Sequence, residues 1–405
     1  MLTVEQALEQ LLSAATPLTG TESVDTLQAC GRVLAQPLTA AIDVPPLANS
    51  AMDGYAVRVA DVSALGARLP ISQRIAAGQV GAVLQADTAA RIFTGAPVPQ
   101  GADAILMQED CSAEGDTVII NQLPKPGQHV RRAGEDIAAG STILQSGCYL
   151  RPQECGLAAS VGAAQLTVFP RLRVAVFFTG DELTLPGQPL KPGAIYNSNR
   201  FVLINVLQQL GCVVNDLGIV PDNLPATRAA LRQAALNSDL ILTSGGVSVG
   251  EEDHVKAAVD AEGSLALWSI AVKPGKPLAF GQVNHAQVNQ VQGSTPIIGL
   301  PGNPVSSLVT FLIFARPFIL RRQGRADVLP STLQLRADFD WPRPDQRREY
   351  LRVRRNAQGG LDLFPNQKSG VLTSTSWADG LVNNPPGQAI CRGDWVSYHS
   401  FAELS

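Results

Sequence analysis

The chain has 405 residues, more than one hydrophobic core organises, which implies about two to four domains. Hydrophobic residues make up 45% and charged residues 16%, the balance of an ordinary soluble globular protein, and a net charge of −4 gives no global pull toward nucleic acid. The six cysteines are dispersed without a C-x-x-C pair and the four histidines show no metal-ligand spacing, so neither a zinc site nor a redox dithiol is indicated. Helical spacing over 3–15 opens the chain, with no basic leader and no long apolar stretch, so a signal peptide is not indicated and a cytoplasmic location is expected. From 47 to about 139 the texture changes to short β-like runs at 91–94, 104–107 and 117–120, separated by Gly and Pro, as in a small β-rich domain. A strand-like piece and a short helix at 152–161 follow, and 169–172 reads as an inter-domain connection.

Beyond residue 173 the pattern alternates. Strands at 174–178, 213–219, 240–243 and 296–300 interleave with helices at 199–210, 225–236, 254–262 and 304–322. This predicts a doubly wound, mostly parallel sheet with ligands at the carboxyl ends of its strands. The polar stretch 283–295 reads as an exposed hairpin loop. The longest apolar run, 305–320, contains Arg316 and Pro317 and is short for a bilayer, so a buried helix and no membrane span are expected. After 325 short strands return, and a C-terminal β-domain is the natural reading. The fold class is therefore α/β multidomain, with β-rich regions on both sides of the doubly wound sheet.

The chemistry-bearing motifs gather at predicted strand ends. T-S-G-G-V-S-V-G at 243–250 joins a buried strand to a helix and is followed by Glu251, Glu252 and Asp253. Such a turn presents backbone N–H groups to an anion at a helix N-terminus, and the adjacent carboxylates then call for a cation such as Mg²⁺ between them. The same glycines also suit a tight βα turn whose only role is packing. T-G-D-E-L at 179–183 places Asp181 and Glu182 at the end of the first strand. In P-G-N-P-V-S at 301–306, Gly302 and Asn303 suit a turn, Pro304 suits the first helical position, and Ser306 can donate to an anion. K-P-G-K-P at 273–277 sets Lys273 and Lys276 on a rigid frame as point charges for an oxyanion. Outside this region N-S-A-M-D-G-Y-A at 49–56, F-T-G-A-P-V-P at 93–99 and R-R-A-G-E-D-I at 131–137 combine tight turns with polar groups. The basic stretch 343–355 alternates like a strand and reads as a solvated face. No G-x-x-x-x-G-K-[ST] and no G-x-G-x-x-G is present, which disfavours P-loop and dinucleotide enzymes.

Taken in chain order from 49–56 to 301–306, these seven motifs resemble the bacterial molybdopterin molybdenumtransferase family, the molybdenum-insertion enzymes related to the E domain of gephyrin, over essentially the full chain. The resemblance implies conversion of adenylyl-molybdopterin and molybdate to molybdenum cofactor with release of AMP. It carries over Asp53, Glu182, Asp222 and Asp253 as catalytic positions, with Glu182, Asp222 and Asp253 placing Mg²⁺. Thr94 and Asp136 are carried over for substrate, and Lys273, Lys276 and Arg131 for anionic oxygens. The turn 243–250, with Ser244, Gly245, Gly246, Ser248 and Gly250, would cradle the molybdopterin or AMP phosphate, and Thr179, Gly180, Asp181, Pro301, Gly302, Asn303 and Ser306 are expected to bind substrate.

The family's architecture implies four units: an elongated linking domain from 1–45 plus 140–170, a β-rich domain at 46–139, a molybdopterin-binding α/β domain at 171–324, and a C-terminal β-barrel-like domain at 325–405. It also implies a homodimer with a shared active site, in which Asp53 and Thr94 of one copy reach the α/β domain of the other. A contact with the molybdopterin adenylyltransferase is a further expected partnership, whereas nucleic acid and membrane are not. Three positions depart from the family pattern. Phe178 and His254 stand where a small polar residue and an aromatic hydroxyl are common, and Ser269 stands where some relatives carry a basic residue. A non-catalytic pterin-binding scaffold and the adenylyltransferase itself are the rival readings. Retention of Asp53, Glu182, Asp222 and Asp253 speaks against the first, and the flanking β-rich regions against the second.

Overall fold

The structure is a computed structural model and describes residues 1–246, 254–275, 277–286 and 292–404. Helix α1 (Val4–Ala14) opens on a capping box, in which Thr3 Oγ1 accepts from Gln6 N–H while the Gln6 side chain accepts from Thr3 N–H. Its buried stripe of Val4, Ala7 and Leu11 packs with Val174, Val176 and Leu203 of the α/β region. Leu2 N–H also donates to Ser269 O at 2.9 Å. Residues 1–45 are expected in the linking unit, but this first helix joins the α/β core because its apolar face has that sheet to cover.

The chain then runs outward through β1 (Glu22–Asp25) and β2 (Leu38–Thr39). The next unit is a six-stranded sheet built from β4 (Gly54–Val57), β5 (Arg68–Ile75), β6 (Ala89–Ile92), β7 (Ala104–Met107), β8 (Cys111–Glu114) and β9 (Thr117–Ile120), in the order β7-β4-β6-β5-β9-β8. A short ribbon of β3 (Asn49–Ser50) and β10 (Val130–Arg131) lies beside it. The return path carries β11 (Thr142–Leu144), α2 (Pro152–Ser160) and β12 (Gln165–Val168). Strand β2 pairs antiparallel with β11, and β1 with β12.

The α/β region is built on β13 (Arg173–Thr179), β16 (Val213–Val220), β17 (Leu240–Ser244) and β21 (Gln292–Leu300), which run parallel. Strands β20 (Pro277–Ala286) and β18 (Gly263–Ser269) extend it antiparallel, in the order β16-β13-β17-β21-β20-β18. The polar stretch 283–295 is thus largely strand: β20 and β21 pair from Ala279↔Gly299 out to Ala286↔Gln292. A small ribbon of β14 (Leu183–Thr184) and β15 (Ile195–Tyr196) follows β13. Every residue of β17 is buried, as continuous apolar runs in parallel strands require. Alternate residues of β13 face opposite layers. Val174, Val176 and Phe178 meet α1, α3 (Ser198–Gln209) and the helical run Pro304–Arg322. Ala175 and Phe177 meet α4 (Leu224–Asn237) and α5 (His254–Glu262). The helical run Pro304–Arg322 is long and apolar enough to cross a membrane by composition, but 83% of it is buried inside the protein.

At the C-terminus, β22 (Leu333–Ala337), β23 (Arg348–Arg355), β24 (Gly360–Leu363), β25 (Gly380–Asn384) and β26 (Trp395–Ser400) close into a ring, because β23 pairs with both β24 and β25. A further strand comes from the α/β region: β19 (Val272–Lys273) pairs parallel with Arg348 and Glu349 of β23. The basic stretch read as a solvated face is only partly so. Arg352 is 1% exposed, on the face of β23 opposite the barrel core of Leu351 and Val353, where it donates to Tyr350 O at 3.1 Å and to Ser374 Oγ of the covering helix Thr373–Trp377 at 3.2 Å. Burial pulls its pKa down to about 10.

Candidate active site

Strand order and chain order diverge at β13. The chain passes from β13 to β16 on one side and returns to β17 on the other, so the carboxyl ends of β13 and β17 flank a topological switch point, the usual ligand position in such sheets. Thr179 ends β13 and Ser244 ends β17, and each is followed by a glycine whose positive φ few other residues adopt. Gly245 has φ +97°, and a Cβ there would lie 2.7 Å from Thr179 O. At Gly180, with φ +143°, a Cβ would lie 2.6 Å from the Glu182 carboxylate. Gly245 N–H donates to Leu300 O at 3.2 Å, which ties in the end of β21.

Ser244 is 3% exposed, and its hydroxyl donates to Pro301 O at 3.0 Å and lies 3.2 Å from Ser307 Oγ. Asn199 Nδ2 donates both to Ser244 Oγ at 3.0 Å and to Gly302 O at 2.8 Å. The Ser244 side chain, expected to meet substrate, is therefore taken up by protein partners and sets the shape of the turn. Asn199 and Ser307 belong to this cluster although no motif pointed to them; their placement on facing helix starts is the only signal. Among the described residues, Thr179 Oγ1 and Thr243 Oγ1 at these strand ends, and Nδ2 of Asn197 at the cap of α3, are buried without a hydrogen-bond partner. Gly246 follows with φ +63°. Ser248, Gly250 and Asp253 lie outside the described residues, as does Lys276.

The acids that are described sit on two neighbouring loops. Asp222 N–H donates to Asp181 Oδ1 at 3.4 Å, and Glu182 is exposed beside them. Asp222 thus meets the loop that carries Glu182. Among the described residues, no group of three or more His, Cys, Asp or Glu side chains has the arrangement of a metal cage. The oxygen donors suit Mg²⁺, which commonly takes one or two carboxylates and completes its shell with water and substrate phosphates.

The K-P-G-K-P and P-G-N-P-V-S loops meet. A Cβ at Gly275 would lie 2.9 Å from Thr310 Oγ1 and 3.9 Å from Ser306 Cβ, so Ser306, 3% exposed, is covered by the first loop rather than open to an anion. Pro301 is buried, whereas Gly302 and Asn303 are exposed. Val305 N–H, in the first turn of the long helix, donates to Ser369 O of a barrel loop at 3.0 Å. Lys273 Nζ is 3.1 Å from Glu349 Oε1 and 3.4 Å from Asp345 Oδ2. Glu349 Oε2 accepts from Trp341 Nε1 at 2.7 Å, and the Arg347 side chain holds the Asp345 carboxyl well below its usual range. The barrel thus supplies two carboxylates and a loop to this edge, contacts that bring together residues some seventy positions apart and leave no local trace in the sequence.

A second cluster surrounds β3. Asp53 Oδ1 accepts from both the N–H and the hydroxyl of Thr94, each at 2.8 Å. Those two donors, aided by the charge of Arg91, hold the Asp53 carboxyl below its ordinary value. Ser50 of β3 bonds the Thr94 loop through Gly95 N–H and Ala96 O, while β3 pairs on its other side with Val130 and Arg131. Arg131, Asp136, Glu135 and Asn49 line a cavity of about 470 Å³ there, and Asn49 Oδ1 is buried without a hydrogen-bond partner. Strand β3 thus joins the Asp53–Thr94 loops on one side to the segment of Arg131 and Asp136 on the other. Among the described residues no hydrogen bond or ion pair links this cluster to the strand ends of the same chain.

Comparison with known proteins agrees along the whole chain. Residues 2–162 match the MoeA N-terminal region (domain I and II), residues 175–321 the probable molybdopterin binding domain, and residues 334–401 the MoeA C-terminal region (domain IV). A molybdopterin molybdenumtransferase of Haemophilus influenzae is 41% identical over 326 residues, covering 80% of this chain and 78% of that one. Molybdopterin molybdenumtransferase 2 of Mycobacterium tuberculosis is 39% identical over 393 residues, covering 94% of each. The crystal structure of a molybdopterin biosynthesis moeA protein from Pyrococcus horikoshii aligns with a TM-score of 0.85 at 25% identity, covering 99% of this chain and 100% of that one. Matched in order over its N-terminal, molybdopterin-binding and C-terminal regions, and along nearly its full length by such relatives, the chain belongs to the MoeA family of molybdopterin molybdenumtransferases.

Proposed function

We infer that this protein is a transferase of molybdenum cofactor biosynthesis that inserts molybdenum from molybdate into molybdopterin. One observation carries the reading most directly. The T-S-G-G, T-G-D-E-L and P-G-N-P turns converge at the switch point of the sheet that matches the molybdopterin binding domain. Adenylyl-molybdopterin is the form of the substrate that suits this site, and cleavage of its phosphoanhydride bond releases AMP. The positive dipole end of the Pro304–Arg322 helix, whose leading Gly302 lies against Gly245, favours its phosphates. Mg²⁺, held by Glu182 and Asp222 with Asp253, would neutralise phosphate oxygens when bound. Asp53, with its carboxyl kept ionised by Thr94, supplies a further anionic oxygen acceptor at the reacting end. A homodimer in which each site draws on two copies belongs to this reading, since among the described residues no hydrogen bond or ion pair joins the Asp53 cluster to the strand ends of its own chain. A cytoplasmic setting suits such an enzyme.

The test is AMP release from adenylyl-molybdopterin by purified protein with Mg²⁺, in the presence and absence of molybdate. Molybdate-dependent AMP is the expected result. Its absence overturns the reading, and consumption of ATP with free molybdopterin would point to adenylylation instead.

A further inference from the structure

The Asp53–Thr94 pair rests on Arg91, a residue of β6 that faces Tyr55 of β4 across the sheet. Its guanidinium donates from Nη1 to Gly54 O at 3.1 Å and from Nη2 to Gln108 Oε1 at 2.6 Å. Gln108 in turn donates its backbone N–H to Asp53 O at 3.0 Å. The guanidinium carbon lies 5.1 Å from the Tyr55 ring centre and 4.8 Å from that of Phe93. Arg91 therefore grips the residue after Asp53, the residue before Thr94, and the residue that bonds the Asp53 backbone. Gly54 gives this frame little slack, since a Cβ there would stand 1.8 Å from Leu106 O. Both acceptors of the guanidinium are neutral oxygens, so hydrogen-bond geometry places it, and its charge then acts on the nearby Asp53 carboxyl.

We propose that Arg91 is a positioning residue for the reaction, holding the Asp53 carboxylate and the Thr94 hydroxyl in their working arrangement. The proposal rests on the reading of Asp53 as a functional group. Neighbouring Arg74 provides an internal control. Its guanidinium carbon also lies over the Phe93 ring, at 4.5 Å, and it is the register partner of Arg91, yet it bonds neither Gly54 nor Gln108.

The experiment measures molybdate-dependent AMP release for Arg91→Ala, Arg91→Lys, Arg74→Ala and Asp53→Ala. Arg91→Ala is expected to lower kcat by about 10- to 100-fold, the scale of a sub-ångström to one-ångström misplacement, with KM for molybdate unchanged. Added methylguanidine is expected to restore part of that kcat but none of the activity lost in Asp53→Ala, and Arg91→Lys should fall between. Arg74→Ala should retain the wild-type kcat. Wild-type kcat in Arg91→Ala beside an inactive Asp53→Ala overturns the proposal. Full activity in Asp53→Ala removes the reading of Asp53 itself, and the proposal falls with it. If Arg91→Ala does not fold, Gln108→Ala breaks the same brace at its far end, and an unchanged kcat in that variant overturns the proposal equally.

Discussion

Lys273 has two possible occupations, and replacing it separates them. Its Nζ lies 3.1 Å from Glu349 Oε1, and Glu349 is 1% exposed while the Lys273 side chain is 37% exposed. Breaking a fully buried pair costs about 3–5 kcal/mol, because a charge is left without compensation, and a surface pair is worth about 0–1 kcal/mol. With one partner a third exposed, water replaces part of the lost lysine, and Lys273→Met should cost about 1–3 kcal/mol. Little of that falls on Asp345, since Arg347 already neutralises it with a bond of 2.9 Å. The cost should vanish in large part when Glu349→Gln is added, because the uncompensated charge is then gone. Calorimetry of the single and double variants reads this out, since a multidomain chain need not unfold in one step. For a barrel-sized unit each kcal/mol shifts its transition by about 4–8 °C. If Glu349→Gln destabilises equally with and without Lys273, the pair is not coupled and the reasoning fails. If the coupling is found, loss of activity in Lys273→Met reflects undocking of the barrel at least as much as a missing substrate contact.

Two further outcomes follow from the same structure. Gly245→Ala should cost about 1–3 kcal/mol from its positive φ alone, more with the 2.7 Å approach to Thr179 O, and a melting temperature equal to wild type would show the turn to be laxer than described. The Arg151 side chain, together with its backbone N–H, pulls the Glu154 carboxyl from its ordinary 4.5 down to about 2. Its contribution to stability is therefore complete above pH 4.5 and is lost as pH falls through about 2, so the advantage of wild type over Glu154→Gln in denaturant melts should be present at about pH 6 and absent at about pH 1.5.

The α/β alternation was legible because parallel strands buried on both faces, such as β13 and β17, leave unbroken apolar runs. Strands β18 and β20 were not, because an antiparallel extension alternates, and polar residues such as Asn284 and His285 then resemble a loop. Pairing of Lys273 with Glu349, and of Leu2 with Ile270, is non-local and leaves no periodic signal. At the site the glycine turns could be read from composition, since φ values of +97° and +63° admit few other residues. Where the polar side chains point could not. Ser244 and Ser306 look like anion donors in their motifs, and burial turns both into protein contacts. Arg352 shows the same limit from the other side, because alternation along a strand does not say whether the outer face meets water or a covering helix.

The unit at 46–139 leaves and rejoins the chain along one ribbon, where β2 runs beside β11 and Val44 bridges to Ile137. A domain hung on a single strand can swivel about its tether in every direction. Two paired strands resist both twist and sideways bending in the plane of their hydrogen bonds, and yield only to flapping across it. The Asp53 cluster is thus carried on a door with one hinge axis, and its swing relative to the sheet of its own chain is reduced to one angular coordinate.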